Sequence, residues 1–165
     1  MHPERRHWAR FRPPATAEQI AEAEAALGLP LPVPLRELYA EFDGLWFGTS
    51  GGDVPECEDL DQWTVLPVRL LPVARKELAW LYGPGGPACG DDDPKFLEKL
   101  ARCVPVALYE GGAAFGFMTD LGAWGIGPDT ISSWDHDGGT PHDYGETLTE
   151  FLAENATNAS QDGTA

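Results

Sequence analysis

The sequence has few cysteines and no long apolar run. Its 3 cysteines, Cys57, Cys89 and Cys103, form no CxxC pair. An odd number of thiols suits reduced cysteines in the cytoplasm better than a disulfide framework. No stretch approaches the about 18 apolar residues of a membrane span, and the N-terminus lacks the apolar segment of a signal peptide. We therefore expect a cytoplasmic protein without a membrane segment.

Basic side chains are also scarce. The 165 residues include 11 Lys and Arg against 27 Asp and Glu, which gives a net charge of -16. Four of the basic residues, Arg5, Arg6, Arg10 and Arg12, lie at the N-terminus, so the rest of the chain is still more acidic. A field of this sign repels phosphate backbones and anionic lipid headgroups. We expect no nucleic-acid or membrane partner, and a basic molecule as the natural complement.

Two helices are predicted near the N-terminus. In "TAEQIAEAEAALG", Thr16 and Gln19 form a capping-box pattern, and Gly28 predicts a left-handed helix end. The alternating prolines of "LPLPVP" predict an extended connector, until Pro34 occupies the first turn of a second helix. We expect that helix to end at another left-handed glycine, Gly44. The segment at 43–62 then reads as an acidic, glycine-rich loop.

The remaining elements are mixed. "WTVLPV" predicts a short strand, "PVARKELAWLYG" a helix with Leu78, Leu81 and Tyr82 inward, and the residues after Asp93 another helix. From Cys103 onward, "CVPVALY", "AAFGFMTDL", "AWGIG" and "TISSWDHD" predict antiparallel strands. "YGETLTEFLAEN" predicts a closing helix, after which the tail should fray. This order is typical of an α+β fold.

Several segments resemble the SUKH superfamily, of the Smi/Knr type. "IAEAEAALGLPLPVPLRELYAEFDG" is similar to its N-terminal helix, LG-x-LP connector and second helix, and "VPVALYEGGAAFGFMTDL", "ISSWDHDGG" and "ETLTEFLAE" resemble its later strands and closing helix. The resemblance implies one α+β domain with an N-terminal helix pair, a central antiparallel or mixed sheet and a C-terminal helix. We place this domain at 16–156, between a basic arm at 1–15, whose order the sequence leaves open, and a flexible tail at 157–165.

The resemblance also implies a function. Bacterial members of the superfamily mostly serve as immunity proteins that bind and neutralise a toxin, and fungal relatives regulate cell-wall synthesis and signalling. Neither group is known for an enzymatic activity or a cofactor. The chain itself shows no GxGxxG or Walker pattern. We therefore predict no catalytic residue, cofactor or metal ion.

A dense cluster of Asp and His residues offers a different interpretation. "SSWDHDGGTPHDYG" contains Asp135, His136, Asp137, His142 and Asp143, which could form a metal or acid/base site. Side chains alternate between faces along a strand, however, and the glycines and proline turn the chain away, so convergence is unfavourable. We favour a structural role in which the aspartates cap a turn. A contact with a partner protein is the remaining alternative.

An acidic segment beside two aromatic residues is the favoured binding site. Its candidates are Trp46, Phe47, Asp53, Glu56, Glu58, Asp59 and Asp61, together with Asp91 and Asp92 in the later loop "YGPGGPACGDDD". Carboxylates would attract a basic surface, and the aromatic side chains would be buried on contact. Alternatively, the aromatic residues join the core and the acids only solvate the loop.

These observations favour a non-enzymatic intracellular binding protein. The first hypothesis is an immunity protein that neutralises a basic toxin domain, for example one that acts on nucleic acid. The second is a regulatory or scaffolding protein of the Smi/Knr type in signalling or cell-envelope synthesis. The third is a small metal-dependent hydrolase that uses the residues at 135–143.

Overall fold

A computed structural model describes residues 8–48, 63–83, 85–86, 98, 100–108, 114–118, 130–134 and 142–161. These residues form a single α+β domain, as predicted. The helices are α1 (Ala17–Leu27), α2 (Val33–Glu41), α3 (Leu71–Tyr82) and α4 (Leu148–Gln161). The strands are β1 (Trp8–Phe11), β2 (Leu45–Gly48), β3 (Cys103–Leu108), β4 (Ala114–Met118), β5 (Thr130–Trp134) and β6 (His142–Thr147). Among the described residues, no helix has both the length and the apolar character that crossing a membrane requires.

The strands form two antiparallel sheets. One pairs β1 with β2, and the other is a meander in the order β3, β4, β5, β6. A short segment joins the two sheets. Val65 and Leu45 exchange two backbone hydrogen bonds of 3.0 Å, and the next residue, Leu66, donates its N–H to the carbonyl of Val106 in β3 at 2.8 Å. Helix α3 packs on β3, and α1 packs against α3.

Helix α1 is confirmed at both ends. The Thr16 N–H donates to Gln19 Oε1 at 2.8 Å, and the Gln19 N–H donates to Thr16 Oγ1 at 3.2 Å, so the capping box is complete. Gly28 ends the helix with φ +66°. The inward face buries Ala23 and Leu27. Local chemistry within a few residues therefore determines this helix.

Helix α2 begins as predicted but ends differently. Pro34 lies in its first turn, and Leu35 and Tyr39 are fully buried. The residue after Glu41 is the extended Phe42, and the positive φ of +94° occurs only at Gly44, which precedes β2. The prediction of a left-handed glycine at the helix end is therefore wrong. Gly44 shapes the entry into a strand.

Both strands of the small sheet were missed. Residues 8–11, assigned to the basic arm, form β1, which pairs in register with β2 from Trp8–Gly48 to Phe11–Leu45. Trp46 and Phe47 thus lie in a strand, whereas the sequence placed them in a loop. The reason is that pairing partners far apart in sequence supply the hydrogen bonds, and short strands carry little periodicity of their own.

The predicted strand "WTVLPV" is reduced to one bridge. Residues 63–66 are buried, yet only Val65 makes a strand-like pair, with Leu45. Proline at position 67 has no N–H to donate, and the chain turns at once into a 3₁₀ turn, Val68–Leu70, that leads into α3. Leu78 is buried and Leu81 is half-buried, as expected for the inner face of α3.

The C-terminal elements correct another prediction. Residues 142–147 form β6 beside β5, so the closing helix begins at Leu148 and not near Tyr144. Thr147 explains the boundary, because its N–H donates to Glu150 Oε2 at 2.8 Å and its Oγ1 accepts from the Glu150 N–H at 3.3 Å. This is a second capping box. The helix continues past Asn155 to Gln161.

The core lies where the helices, the 63–71 segment and the larger sheet meet. Its fully buried large side chains are Trp63, Tyr39, Phe151, Leu35, Leu66, Leu70, Leu71, Leu78, Ile131, Val65 and Val68. The predicted strand "AWGIG" lies outside the described residues, as does most of the helix predicted after Asp93. Its Leu100 is described, and it is helical and buried.

Candidate partner-binding surfaces

A buried carboxylate fixes the chain at the entry to β2. Asp43 is 4% exposed, and its Oδ1 accepts a hydrogen bond from the backbone N–H of Val68 at 2.6 Å. Its own N–H donates to the carbonyl of Pro13 at 3.2 Å, and Oδ2 lies 3.7 Å from Arg12 Nε. One residue therefore connects the end of α2, the N-terminal strand and the start of the 3₁₀ turn. A buried charge is tolerated because it is paired and hydrogen-bonded.

Gly44 completes this junction. Its φ of +94° lies in the left-handed region, and a Cβ at this position would come within 3.0 Å of the Pro67 ring. A residue with a side chain would therefore meet both backbone strain and a steric clash. The junction of Asp43 and Gly44 holds the start of β2 against the 63–70 segment.

The residues on both sides of the acidic segment are held in place by the fold. It follows β2, which is held on one side by β1 and at Leu45 by Val65. It ends at Trp63, which is completely buried. Asp53, Glu56, Glu58, Asp59 and Asp61 lie between these two ends and outside the described residues, and Asp91 and Asp92 of the later loop also lie outside them. Their role in binding stays a prediction.

The two aromatic candidates lie at the start of this segment. Trp46 is half-buried and packs against the core, with Arg10 opposite it in β1. Only its exposed part is available to a partner. Phe47 pairs with Ala9, and its side chain lies outside the described part of the structure.

The Asp and His cluster falls between two strands. β5 ends at Trp134, and β6 begins at His142, which pairs with Ser133, while Asp143 pairs with Ser132. Residues 135–141, with Asp135, His136 and Asp137, lie outside the described residues. Within the described ranges, no three His, Cys, Asp or Glu side chains are grouped in a way that could hold a metal ion.

Two buried titratable groups have structural roles. The Tyr39 hydroxyl donates to the carbonyl of Leu66 at 2.7 Å, and burial, with a smaller effect of the Asp43 charge, raises the pKa of this hydroxyl. Burial also raises the pKa of the Cys103 thiol, which the nearby Arg75 only partly offsets. A buried, protonated thiol is a poor nucleophile. Neither group is suited to catalysis.

The structure shows an exposed apolar face that the sequence reading missed. On α3, Trp80 is 61% exposed and Val73 is 44% exposed, with the exposed Lys76 between them. We call these three residues the α3 outer face. The signal was present, because helical spacing directs Trp80 away from the inward-facing Leu78. Because tryptophan is usually assigned to the core, its exposed position on this helix is easily overlooked in the sequence.

A groove of about 210 Å³ lies beside the α3 outer face, lined by Arg75, Lys76, Ala79, Leu100 and Ala101. Arg75, one of the residues that line it, makes two hydrogen bonds to backbone carbonyls. One guanidinium nitrogen donates to the carbonyl of Leu27 at the end of α1, and the other donates to the carbonyl of Ala101 at 3.2 Å. These bonds tie α3 to α1 and to the chain that leads into β3.

Exposed carboxylates also occur on the described helices. Glu150 and Glu154 are exposed on α4, and Glu146 precedes them at the end of β6. The pKa of Glu146 is raised by partial desolvation and by the charge and hydrogen bond of Glu154, with a smaller effect of Glu150. Hydrogen bonds from Thr147 lower the pKa of Glu150. This end of the domain therefore adds to the negative field.

Comparison with known proteins supports the resemblance. Residues 14–154 match the SMI1 / KNR4 family (SUKH-1). No curated protein matches the chain.

Proposed function

Because this chain belongs to the SMI1 / KNR4 family (SUKH-1), which includes immunity proteins, we propose that it binds and neutralises a toxin domain. The acidic segment between β2 and Trp63 is the proposed contact surface, and a basic toxin domain is the proposed partner. Binding occludes the toxin's active site and requires no reaction by the immunity protein itself.

The charge distribution is the observation that carries this proposal. The net charge of -16 is far larger than solubility requires. Five carboxylates occur at 53–61, and the two ends of that segment are fixed by β2 and by the buried Trp63. A toxin that grips phosphate groups must present Lys and Arg side chains, so an acidic surface can compete for the same cleft.

Electrostatic attraction acts mainly on the rate of association. Complementary charge raises association rates toward about 10⁸–10⁹ M⁻¹ s⁻¹ at low salt. At physiological salt the Debye length is about 8 Å, so only the charges near the contact remain effective. The exposed part of Trp46 lies at the start of the segment and can contribute apolar contact once the surfaces meet.

The buried polar groups agree with a binding role. Asp43 accepts a hydrogen bond from the Val68 N–H, and the Tyr39 hydroxyl donates one to the Leu66 carbonyl. The buried Cys103 thiol has a raised pKa. All three groups are buried, so a partner protein does not contact them and the proposed contact lies on the surface of the domain.

Growth rescue tests the proposal. Toxin domains encoded beside the gene are expressed in a bacterial host with and without this protein, and growth is measured. We expect the native protein to restore growth against one of them. The triple variant Glu56→Lys, Glu58→Lys, Asp59→Lys should lose the rescue, and the association rate should fall steeply with salt for the native protein only.

A matched control separates position from total charge. Glu18, Glu22 and Glu41 are exposed on α1 and α2, and reversing all three to lysine makes the same change in net charge elsewhere. This control should keep the rescue. Equal loss in both triple variants would contradict a local contact surface, and absence of rescue by the native protein would contradict the immunity function.

A further inference from the structure

The α3 outer face is apolar where a surface helix is ordinarily polar. Val73 and Trp80 are two helical turns apart and share one face, with Lys76 between them. Tryptophan is enriched among the residues that contribute most of the binding energy at protein interfaces. A tryptophan that is 61% exposed on a regular helix leaves a large apolar surface in water.

The groove beside this face is suited to one side chain. Ala79, Leu100 and Ala101 give it apolar walls, and its volume of about 210 Å³ is below the about 300–1,000 Å³ typical of small-molecule sites. Trp80 follows Ala79 in α3, and Lys76 belongs both to the groove and to the α3 outer face. An apolar side chain of a partner could therefore enter the groove while its neighbours contact Trp80.

The face is also preorganised. The Arg75 guanidinium is bonded to the carbonyls of Leu27 and Ala101, so α3 is tied to two neighbouring parts of the fold. A partner that docks here does not have to order a mobile surface first, which removes a common entropic cost of binding.

The charge beside the face is positive, opposite to that of the whole molecule. The chain has 11 Lys and Arg. Arg75 and Lys76 line the groove, Arg102 follows its lining residue Ala101, and Lys76 and Arg102 are exposed. The described acidic residues nearest to these in sequence are Glu77 in α3 and the exposed Glu98, two residues before Leu100, so the balance is one positive charge. Once a partner is within a Debye length, these local charges favour carboxylates.

We propose that the α3 outer face and its groove bind an acidic segment of a partner protein, with an apolar side chain of that segment inserted beside Trp80. This is a second interface, separate from the acidic segment assigned to the toxin. It takes a partner of the opposite charge, and it does not depend on the immunity function.

Selection from a random peptide library displayed on phage tests this proposal. The library is panned against the native protein, Trp80→Ser, Lys76→Glu and the control Val33→Ser, which removes a 67% exposed valine from α2. We expect the native protein and the control to enrich peptides that combine an apolar residue with net negative charge. A protein of net charge -16 without such a site should enrich basic peptides only.

Affinities of the enriched peptides give the magnitudes. By fluorescence polarisation, Trp80→Ser should weaken an acidic peptide by about 30-fold, as expected for a central interface residue. Lys76→Glu should weaken the same peptide by about tenfold through charge reversal. Val33→Ser should leave the affinity unchanged.

Several results would overturn the proposal. Enrichment of basic peptides alone would do so, as would acidic peptides that bind Trp80→Ser as well as the native protein. Sedimentation that shows self-association of the native protein, lost in Trp80→Ser, would assign the face to a second copy of the chain. Thermal unfolding checks that each variant is folded, and Lys76→Glu tests the face without removing apolar surface.

Discussion

Replacing Asp43 by alanine is expected to destabilise the domain by about 3 kcal/mol. Asp43 Oδ1 accepts the Val68 N–H at 2.6 Å, and the carboxylate is only 6% exposed. Hydrogen bonds to charged groups contribute about 1.5–3 kcal/mol, and the buried N–H left without this acceptor costs about 1–3 kcal/mol. These two ranges describe overlapping effects, so we take about 3 kcal/mol as the whole.

Asparagine separates the hydrogen bond from the charge. Asp43→Asn keeps a carbonyl oxygen for the Val68 N–H and removes only the charge that faces Arg12 Nε at 3.7 Å. Because the Arg12 side chain is partly exposed, that ion pair contributes less than about 1 kcal/mol. The asparagine variant should therefore lose less than about 1 kcal/mol, and the difference between the two variants measures the buried hydrogen bond.

Urea and thermal unfolding measure both effects. A loss of about 3 kcal/mol lowers Tm by about 6–12 °C in a domain of this size. The control Glu41→Ala removes an exposed carboxylate from the last position of α2 and should stay within about 0.5 kcal/mol of the native protein. Equal losses for alanine and asparagine, or a loss below about 1 kcal/mol for alanine, would refute the assigned role of the hydrogen bond.

Two further variants test the junction and the acidic end of the domain. Gly44→Ala should lose about 2–3 kcal/mol in urea unfolding, because it combines strain at φ +94° with a contact of 3.0 Å to Pro67. The control Gly28→Ala has φ +66° but open space around the added Cβ, and it should lose about 1 kcal/mol. Equal losses in the two variants would argue against an effect of the Pro67 contact. The raised pKa of Glu146 means that the folded state binds its proton more tightly than the unfolded state, so this residue's effect on stability becomes less favourable as pH rises above 4.5. Glu146→Gln should therefore raise Tm at neutral pH and flatten the decline measured between about pH 4 and about pH 7, and parallel profiles for the two proteins would contradict this.

Elements with local chemical signals could be predicted from the sequence. The Thr16 and Gln19 capping box and the left-handed Gly28 define α1, because each signal acts within a few residues of the helix end. The start of α4 was missed although the same kind of signal is present. Thr147 and Glu150 form the second capping box, and reading it would have placed the boundary at Leu148.

Elements that depend on distant partners were harder to predict. β1 is stabilised by β2, and β2 by Val65, so neither short strand carries enough pattern of its own. β6 has the sequence "HDYGET", which lacks the alternation of apolar and polar residues expected of a half-buried strand. Pairing with β5 overrides its weak local preference.

The candidate binding surfaces also differ in how far the sequence alone predicts them. Composition alone points to the acidic segment, because charge needs no knowledge of pairing. The burial of Trp46 does depend on pairing, since adjacent strand residues face opposite sides and only the sheet decides which side is the core. Trp80 could have been found from helical spacing, because Leu78 marks the inner face of α3 and Trp80 points away from it.

The two proposed surfaces can coexist because long-range and local charge act at different distances. At low salt, the net charge of -16 attracts a basic toxin domain from afar and repels an acidic segment. At physiological salt, the field is screened within about 8 Å, so an acidic segment that reaches α3 experiences mainly Lys76 and its basic neighbours. Added salt should therefore weaken binding at the acidic segment steeply. At the α3 outer face it weakens the local attraction and also relieves the overall repulsion, so the two effects oppose each other and the salt dependence should be shallow.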